Sequence, residues 1–284
     1  MEIAIIYDAF RSDTLGVHYK KAFEKLGLKV RHFWLKDSHR IEPVFDAYVR
    51  VDDGDYKCDI PHDKLKPSFF YASDVHLKKP FLAIKKAARF YNHIFCAQYD
   101  GCLKLRDIYG DKVSWLPHAC DTELTGDAGV ERKLDIAFVG NDGGNPRKFL
   151  LQEMRERFPN SYIGNAAHTA MAGIYSSAKL GFNYSIGNDI NMRIFEVTSC
   201  GAMLLTNYIQ GNGFDKLFTD KRDLVTYKSP KEIFPMIEYY LRNDSERKAI
   251  SAAGRALTIS GHTYLKRAAV ILDKINQWKN TAAI

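Results

Sequence analysis

Continuous apolar runs and amphipathic stretches alternate through the first half of the chain. Residues 3–7 form an apolar run ending at Asp8, the pattern of a parallel strand covered on both faces. Over residues 14–26, positions Leu15, His18, Tyr19, Ala22, Phe23 and Leu26 share one helical face, and Gly27 stops the helix. The pattern predicts further strands at 29–34, 46–51, 67–73, 93–97 and 113–116, and a helix over about 81–90. This is the βαβ rhythm of a doubly wound parallel sheet.

The rhythm then restarts. Gly126-Asp127-Ala128-Gly129 reads as a linker, and 134–139 as a fresh buried strand leading into Gly140-Asn141-Asp142-Gly143-Gly144-Asn145. Helices are expected at 147–158 and 169–178, strands at 162–164, 180–185, 202–206 and 223–227. Ser229-Pro230-Lys231-Glu232 is a capping box with proline at the first helical position, opening a helix to about Arg242. Helices at 245–257 and 263–278 close the chain, and no tandem repeat appears. The expected fold class is therefore α/β, with two Rossmann-like halves: 1–125, 126–265 and a terminal helix, 266–284, that crosses back to the first half. Ligands of open parallel sheets bind beyond the carboxyl ends of the strands, so a cleft between two such sheets is the expected site.

The stretch 191–208 joins two signals. Arg193 and Glu196 lie three apart on one side of a short helical turn, and Ser199-Cys200-Gly201 ends that turn before a buried strand. One cation and one carboxylate at a strand edge suit a ligand with phosphates and a diol, as in a sugar nucleotide. Composition narrows the class. Hydrophobic residues make up 46%, enough for a proper core, and no run of 18 apolar residues suggests a membrane span. The start, Met-Glu-Ile-Ala-Ile-Ile-Tyr-Asp, lacks the basic beginning of a signal peptide. Five cysteines (58, 96, 102, 120, 200) form no C-x-x-C pair. Free thiols and a cytoplasmic location are expected. The net charge of +7 is spread through the chain without a block of five cations, which fits an anionic ligand or acceptor.

Asn191-Met192-Arg193-Ile194-Phe195-Glu196 followed by Gly201-Ala202-Met203-Leu204-Leu205-Thr206 resembles the donor segment of GT-B glycosyltransferases. The narrower resemblance is to the spore-maturation (CgeB-like) branch related to retaining family 4. Trp115-Leu116-Pro117-His118-Ala119-Cys120-Asp121 is similar to that family's hinge strand, and Ser73-Asp74-Val75-His76 to its acceptor-side loop. Residues 214–218 and 224–227, with Asn243-Asp244-Ser245-Glu246-Arg247, Gly254, His262-Thr263-Tyr264 and Arg267, continue the likeness. It implies a GT-B fold whose C-terminal domain holds a nucleoside-diphosphate sugar, UDP- or GDP-linked, and whose N-terminal domain holds most of the acceptor. It also implies transfer without a bound catalytic metal or other cofactor.

The resemblance gives residues their expected roles. Glu196 accepts the ribose hydroxyls. The related families often carry a second acid eight positions earlier; here that position is Asn188, beside Asp189. An amide can bond a sugar hydroxyl but carries no charge. Arg193 is the expected diphosphate clamp. Gly140 and Asn141 open a strand-to-helix loop whose N–H groups favour an anion, with Arg147 as a second cation. Gly16, after the first strand, is the facing loop in the other half. Asp74, His76 and His118 are the catalytic candidates, since the acceptor hydroxyl must lose a proton and histidine titrates near working pH. Asp8 and Asp13 are candidates for acceptor hydroxyls, Tyr175 for the pocket wall or the core, and Trp278 for packing.

Competing chemistries are weaker. Asp53-Gly54-Asp55 matches the D-x-D of metal-dependent transferases but reads more simply as an acidic turn. His62 and Asp63 have no zinc spacing, and the absent G-x-G-x-x-G disfavours a nicotinamide enzyme. The expected function is retaining, metal-independent glycosyl transfer to a hydroxyl on a glycan or a hydroxylated DNA base. The alternative is a non-catalytic nucleotide-sugar-binding module. The sequence specifies no oligomeric state.

Overall fold

The computed structural model describes residues 1–10, 14–52 and 63–282, with only the backbone of Ala282. It divides into two compact units, Met1–Pro117 with Tyr264–Ile284, and His118–Thr263.

Unit 1 is built on six parallel strands in the order β2-β1-β3-β4-β5-β6. They are β1 (Glu2–Ile6), β2 (Lys29–Phe33), β3 (Ala47–Val51), β4 (Ser68–Ala72), β5 (His93–Cys96) and β6 (Val113–Trp115). Three helices join them: α1 (Leu15–Lys25), α2 (Lys78–Ala88) and α3 (Tyr99–Tyr109). β3 and β4 are buried at every position, as expected of strands covered on both faces. α1 buries the predicted Leu15, His18, Tyr19, Ala22 and Phe23, while Leu26 is half-buried just beyond its end. The face of α1 is covered by the last helix of the chain, where the Tyr264 and His18 rings stack at 4.8 Å.

Unit 2 is a five-stranded parallel sheet in the order β11-β10-β9-β7-β8. Its strands are β7 (Leu134–Val139), β8 (Ser161–Gly164), β9 (Ala178–Asn183), β10 (Met203–Asn207) and β11 (Val225–Tyr227). Its helices are α4 (Arg147–Arg157), α5 (Met171–Ser176), α6 (Met192–Ser199), α7 (Phe214–Leu217), α8 (Pro230–Arg242) and α9 (Asp244–Gly261). The last helix, α10 (Tyr264–Ala282), belongs to unit 1. Alternate residues of β7 enter different cores: Ala137 and Val139 join α5 and α6, whereas Ile136 and Phe138 join α4 and α8. A continuous apolar run thus serves two faces.

Two local departures have plain causes. The helix predicted from Phe81 begins at Lys78. Pro80 lies in its first turn, where a missing N–H is no loss because those donors lack intrahelical partners. At Ser229 the capping box is altered: the Glu232 carboxylate accepts the Lys228 N–H at 2.9 Å, and the serine hydroxyl caps no backbone N–H.

Candidate functional site

The chain leaves β7 toward β8 on one side and returns as β9 on the other, so the carboxyl ends of β7 and β9 flank the switch point of unit 2. Strand-end loops diverge there and leave a crevice. Register places Ala137 beside Gly181, which brings Val139 and Asn183 to the same edge.

Arg193, in the first turn of α6, reaches this edge half-buried. Its Nε donates to the Val139 carbonyl at 3.1 Å, and Nη1 donates to Asn183 Oδ1 at 3.0 Å. The guanidinium lies 4.5 Å from the centre of the Phe138 ring. Asn183 is fully buried and donates to Ser185 Oγ at 3.1 Å and Thr206 Oγ1 at 2.9 Å. Asn191, at the N-cap of α6, donates to Asn183 Oδ1 and Ser185 Oγ, while its own Oδ1 is buried without a hydrogen-bond partner. A rigid amide–hydroxyl network therefore fixes the guanidinium through neutral partners.

The loop after β7 adds a second cation. Gly140 has φ +141°, and a Cβ there would overlap Arg193 Nη2. Arg147, opening α4, donates from Nε to the Asp142 carbonyl at 2.8 Å, from Nη2 to the Asn141 carbonyl at 2.9 Å and from Nη1 to the Tyr184 carbonyl at 3.2 Å. It too lies over Phe138, at 5.7 Å. Burial pushes its pKa down, and the Arg193 charge adds to that, offset in part by Asp189 and Asp142. Beside it a cavity of about 170 Å³ is lined by Gly143, Gly144, Arg147, Ser185 and Ile186 among others. Two guanidinium groups bonded to carbonyl and amide oxygens keep their charge for an outside anion.

Glu196 follows Arg193 by one turn and is 7% exposed, so the pair is not a solvated surface bridge. Burial first, and the Glu196 charge among the next causes, push Cys120 up to about 11 and Cys200 up as well. Tyr175 is fully buried and its hydroxyl accepts the Val139 N–H at 3.1 Å. Burial raises it to about 12. Its place is behind the end of β7, which it holds. Asn188 has φ +62° and is exposed. Its Nδ2 donates to the Gln210 carbonyl at 2.7 Å and its Oδ1 accepts the Gln210 N–H at 3.1 Å. Asn212 Nδ2 donates to the Asn188 carbonyl at 2.9 Å. Both side-chain groups of Asn188 thus clamp the loop after β9 to the loop after β10.

In unit 1, Asp74 and His76 follow β4 and are half-buried, and His76 Nδ1 is buried without a hydrogen-bond partner. Gly16 is buried in the first turn of α1, where the Tyr7 ring occupies the space a Cβ would need. Asp8 Oδ1 accepts the Leu35 N–H at 3.0 Å. Trp278, on α10, lines a cavity of about 390 Å³ with Phe69 and His93. His118 is 7% exposed and belongs to unit 2. Asp13, Asp53-Gly54-Asp55, Cys58 and His62 lie outside the described residues. The other four cysteines are buried free thiols. Among the described residues there is no cluster of three or more His, Cys, Asp or Glu placed for a metal ion, and no helix long and apolar enough to cross a membrane.

Sequence reasoning pointed to Arg193, Glu196, Gly140 and Arg147, which the structure places in unit 2, three of them at one strand edge. It gave no role of their own to Phe138, Asn183, Ser185 and Asn191. Asn183 closes β9 and Ser185 follows it, and only the β7–β9 register brings them to the edge that Arg193 reaches.

Among solved structures the chain is similar to HepE of Anabaena in complex with UDP and glucose, at 10% identity and TM-score 0.68 over 98% of this chain and 100% of that one. It is similar to the DNA modifying enzyme β-glucosyltransferase at 11% identity and TM-score 0.64, over 97% of this chain and 100% of that one. An α-glucosyltransferase in complex with UDP-glucose and DNA containing an abasic site matches at 10% identity and TM-score 0.66, over 97% and 99%. No curated protein matches by sequence. These likenesses and the two all-parallel sheets give the fold as GT-B. The family model described as glycosyl transferase-like matches residues 127–273. Because that match spans just over half of its 284 residues, the chain belongs to the glycosyl transferase-like family.

Proposed function

We propose that the protein transfers a sugar from a nucleoside-diphosphate sugar to an acceptor hydroxyl, and that unit 2 binds the donor. The observation that carries this is the pair Arg193 and Arg147, both over Phe138, the first held by a carbonyl and an amide oxygen and the second by backbone carbonyls. Such an arrangement costs free energy in the empty protein, because two like charges share one ring. A diphosphate offsets that cost with charge-assisted bonds. Gly140 and Asn141 let the backbone approach the phosphates, and Glu196 takes the ribose diol. UDP is the favoured carrier, supported by the UDP bound in similar structures; GDP is its competitor. Tyr175 and Asn188 are positioning residues here, not contacts.

In the reaction the bond from the anomeric carbon to the diphosphate oxygen breaks and one to the acceptor oxygen forms. The acceptor proton passes to His76, oriented by Asp74, or to the departing phosphate; His118 is the second candidate for that proton. Cations at 193 and 147 stabilise the charge that grows on the leaving diphosphate. The chemistry is assigned to the CgeB-like branch, retaining and metal-independent, in the cytoplasm. The acceptor is a glycan or a hydroxylated DNA base, held by unit 1.

A thermal-shift panel of UDP, GDP and their sugars tests the donor site. A ligand well above its Kd raises Tm, so UDP-sugars are expected to raise it and Arg193→Ala to abolish the rise. No shift with any nucleotide refutes the reading. A second reading, a binding module without transfer, is favoured by one observation: the amide of Asn188 stands where related enzymes carry an acid and is already engaged with Gln210. Donor turnover that disappears in Glu196→Ala excludes it.

A further inference from the structure

An aromatic row runs along the carboxyl ends of β1 and β2 in unit 1. The Tyr7 and His32 rings are 4.1 Å apart, His32 and Trp34 5.9 Å, and Trp34 and Phe10 5.4 Å in a T-shaped contact. Phe10, at the end of the row, is 79% exposed, more than any other large hydrophobic residue among the described ones. Lys36 Nζ sits 5.6 Å from the centre of the Trp34 ring. His32 Nε2 lies 2.9 Å from the Tyr7 carbonyl, which fixes the inner end of the row. Apart from its ring contact with Trp34, Phe10 is left largely in water and adds little burial to the fold.

Charge points the same way. Positions 29–40 carry Lys29, Arg31, Lys36 and Arg40, all exposed, against one acid, Asp37, which lies 3.7 Å from Arg40. Lys29 and Arg31 are on β2, the edge strand, where cations also blunt unwanted strand pairing. Lys36 and Arg40 lie beyond the strand, so edge protection does not account for them. Because the sheet is parallel, this row shares its edge with Asp74 and His76, which follow β4.

We infer that Phe10, Trp34 and Lys36 form a platform for a single-stranded or unstacked segment of nucleic acid, and so that the acceptor is a nucleic acid; its role in catalysis rests on the glycosyltransferase reading. Bases stack on the exposed Phe10 ring, which Trp34 supports, and the phosphates run past Lys36 and Arg40. A neutral glycan also stacks on aromatic rings but makes no use of the excess positive charge. Planar rings joined by phosphates use both features.

The test is binding of the full chain to a fluorescein-labelled thymidine oligonucleotide of about twelve nucleotides, with a labelled maltooligosaccharide as the neutral comparison. The expected result is oligonucleotide binding that weakens with salt, about tenfold weaker in Phe10→Ala, and a salt slope reduced by about 0.7 in Lys36→Ala. Both variants keep the wild-type Tm and the wild-type affinity for UDP. The proposal is overturned if the oligonucleotide does not bind at low salt, if Phe10→Ala binds it as tightly as wild type, or if only the maltooligosaccharide binds. If the oligonucleotide effects appear and UDP does not bind, the platform stands and the donor reading falls.

Discussion

Arg193 shows how a charge is kept available. Its partners are the Val139 carbonyl and the Asn183 amide oxygen, neither of which cancels it. Charge-assisted hydrogen bonds contribute about 1.5–3 kcal/mol each, so Arg193→Ala is expected to weaken UDP binding by about ten- to a hundredfold in calorimetry. Arg193→Lys is expected to fall nearly as far, because an ammonium cannot hold both pins and face the phosphates. Equal affinity of wild type and Arg193→Lys would show that the planar fork is irrelevant. Gly140→Ala tests the same residue from behind. At φ +141° an added Cβ is strained, and it meets the guanidinium itself. The variant is expected to lose both donor affinity and roughly 1–3 kcal/mol of stability. Arg193 and Glu196 were readable from their spacing, since a helix repeats locally. Phe138 and Asn183 were not, because they meet Arg193 only through strand register over many residues of separation.

At the scale of elements, two clamps make opposite use of polarity. The loops after β9 and β10 are tied by Asn188, which must donate to one Gln210 group and accept from the other. An aspartate can accept but not donate, so Asn188→Asp is expected to lower Tm by a few degrees, equivalent to about 1–2 kcal/mol. That loss should come without any gain in transfer rate. A faster Asn188→Asp enzyme would instead mean that position 188 reaches the sugar. The other clamp opens β5. His93 Nε2 lies 2.7 Å from Ser114 Oγ, and burial, with Lys274 and Lys112 nearby, lowers the His93 pKa to about 3. Between about pH 3 and the unfolded value of about 6.5, the unfolded chain binds the proton and the folded one does not. Stability from this group is therefore complete above about pH 6.5 and falls as pH is lowered, by up to about 1.4 kcal/mol per pH unit. Urea unfolding from pH 7 to pH 4.5 should show a shallower decline in His93→Gln than in wild type; parallel curves would remove His93 as the cause. Periodicity found most elements but missed α3. Its first turn holds Gly101, which reads as a loop residue, yet it is there because a Cβ would strike the Val75 carbonyl. A tertiary contact chose the glycine, and local pattern cannot report that.

For the whole molecule the decisive feature is that the last helix of the chain folds with the first unit. α10 buries Tyr264, Ala268, Ile271 and Ile275 almost completely, packs its first ring on His18, and donates from Arg267 Nε to the Pro117 carbonyl at 2.8 Å. Near its far end Lys279 Nζ lies 2.6 Å from Asp46, and that contact holds the Asp46 carboxyl below its ordinary value. Each large side chain buried here is worth about 1.5–3 kcal/mol. Together they approach the whole stability of a typical domain, about 5–15 kcal/mol. A chain ended at Thr263 should therefore lose unit 1 while keeping unit 2, whose sheet and both cores lie within His118–Thr263. Limited proteolysis of that chain is expected to leave a resistant fragment beginning near His118 that still gains Tm with UDP. In the intact chain both units should resist equally. Survival of residues 1–117 in the truncated chain would mean that the six-stranded sheet closes its own core, and that α10 adds only a surface. Loss of both units together would mean that the two unfold as one cooperative body, and that donor binding in unit 2 depends on a helix that begins 68 residues beyond Glu196.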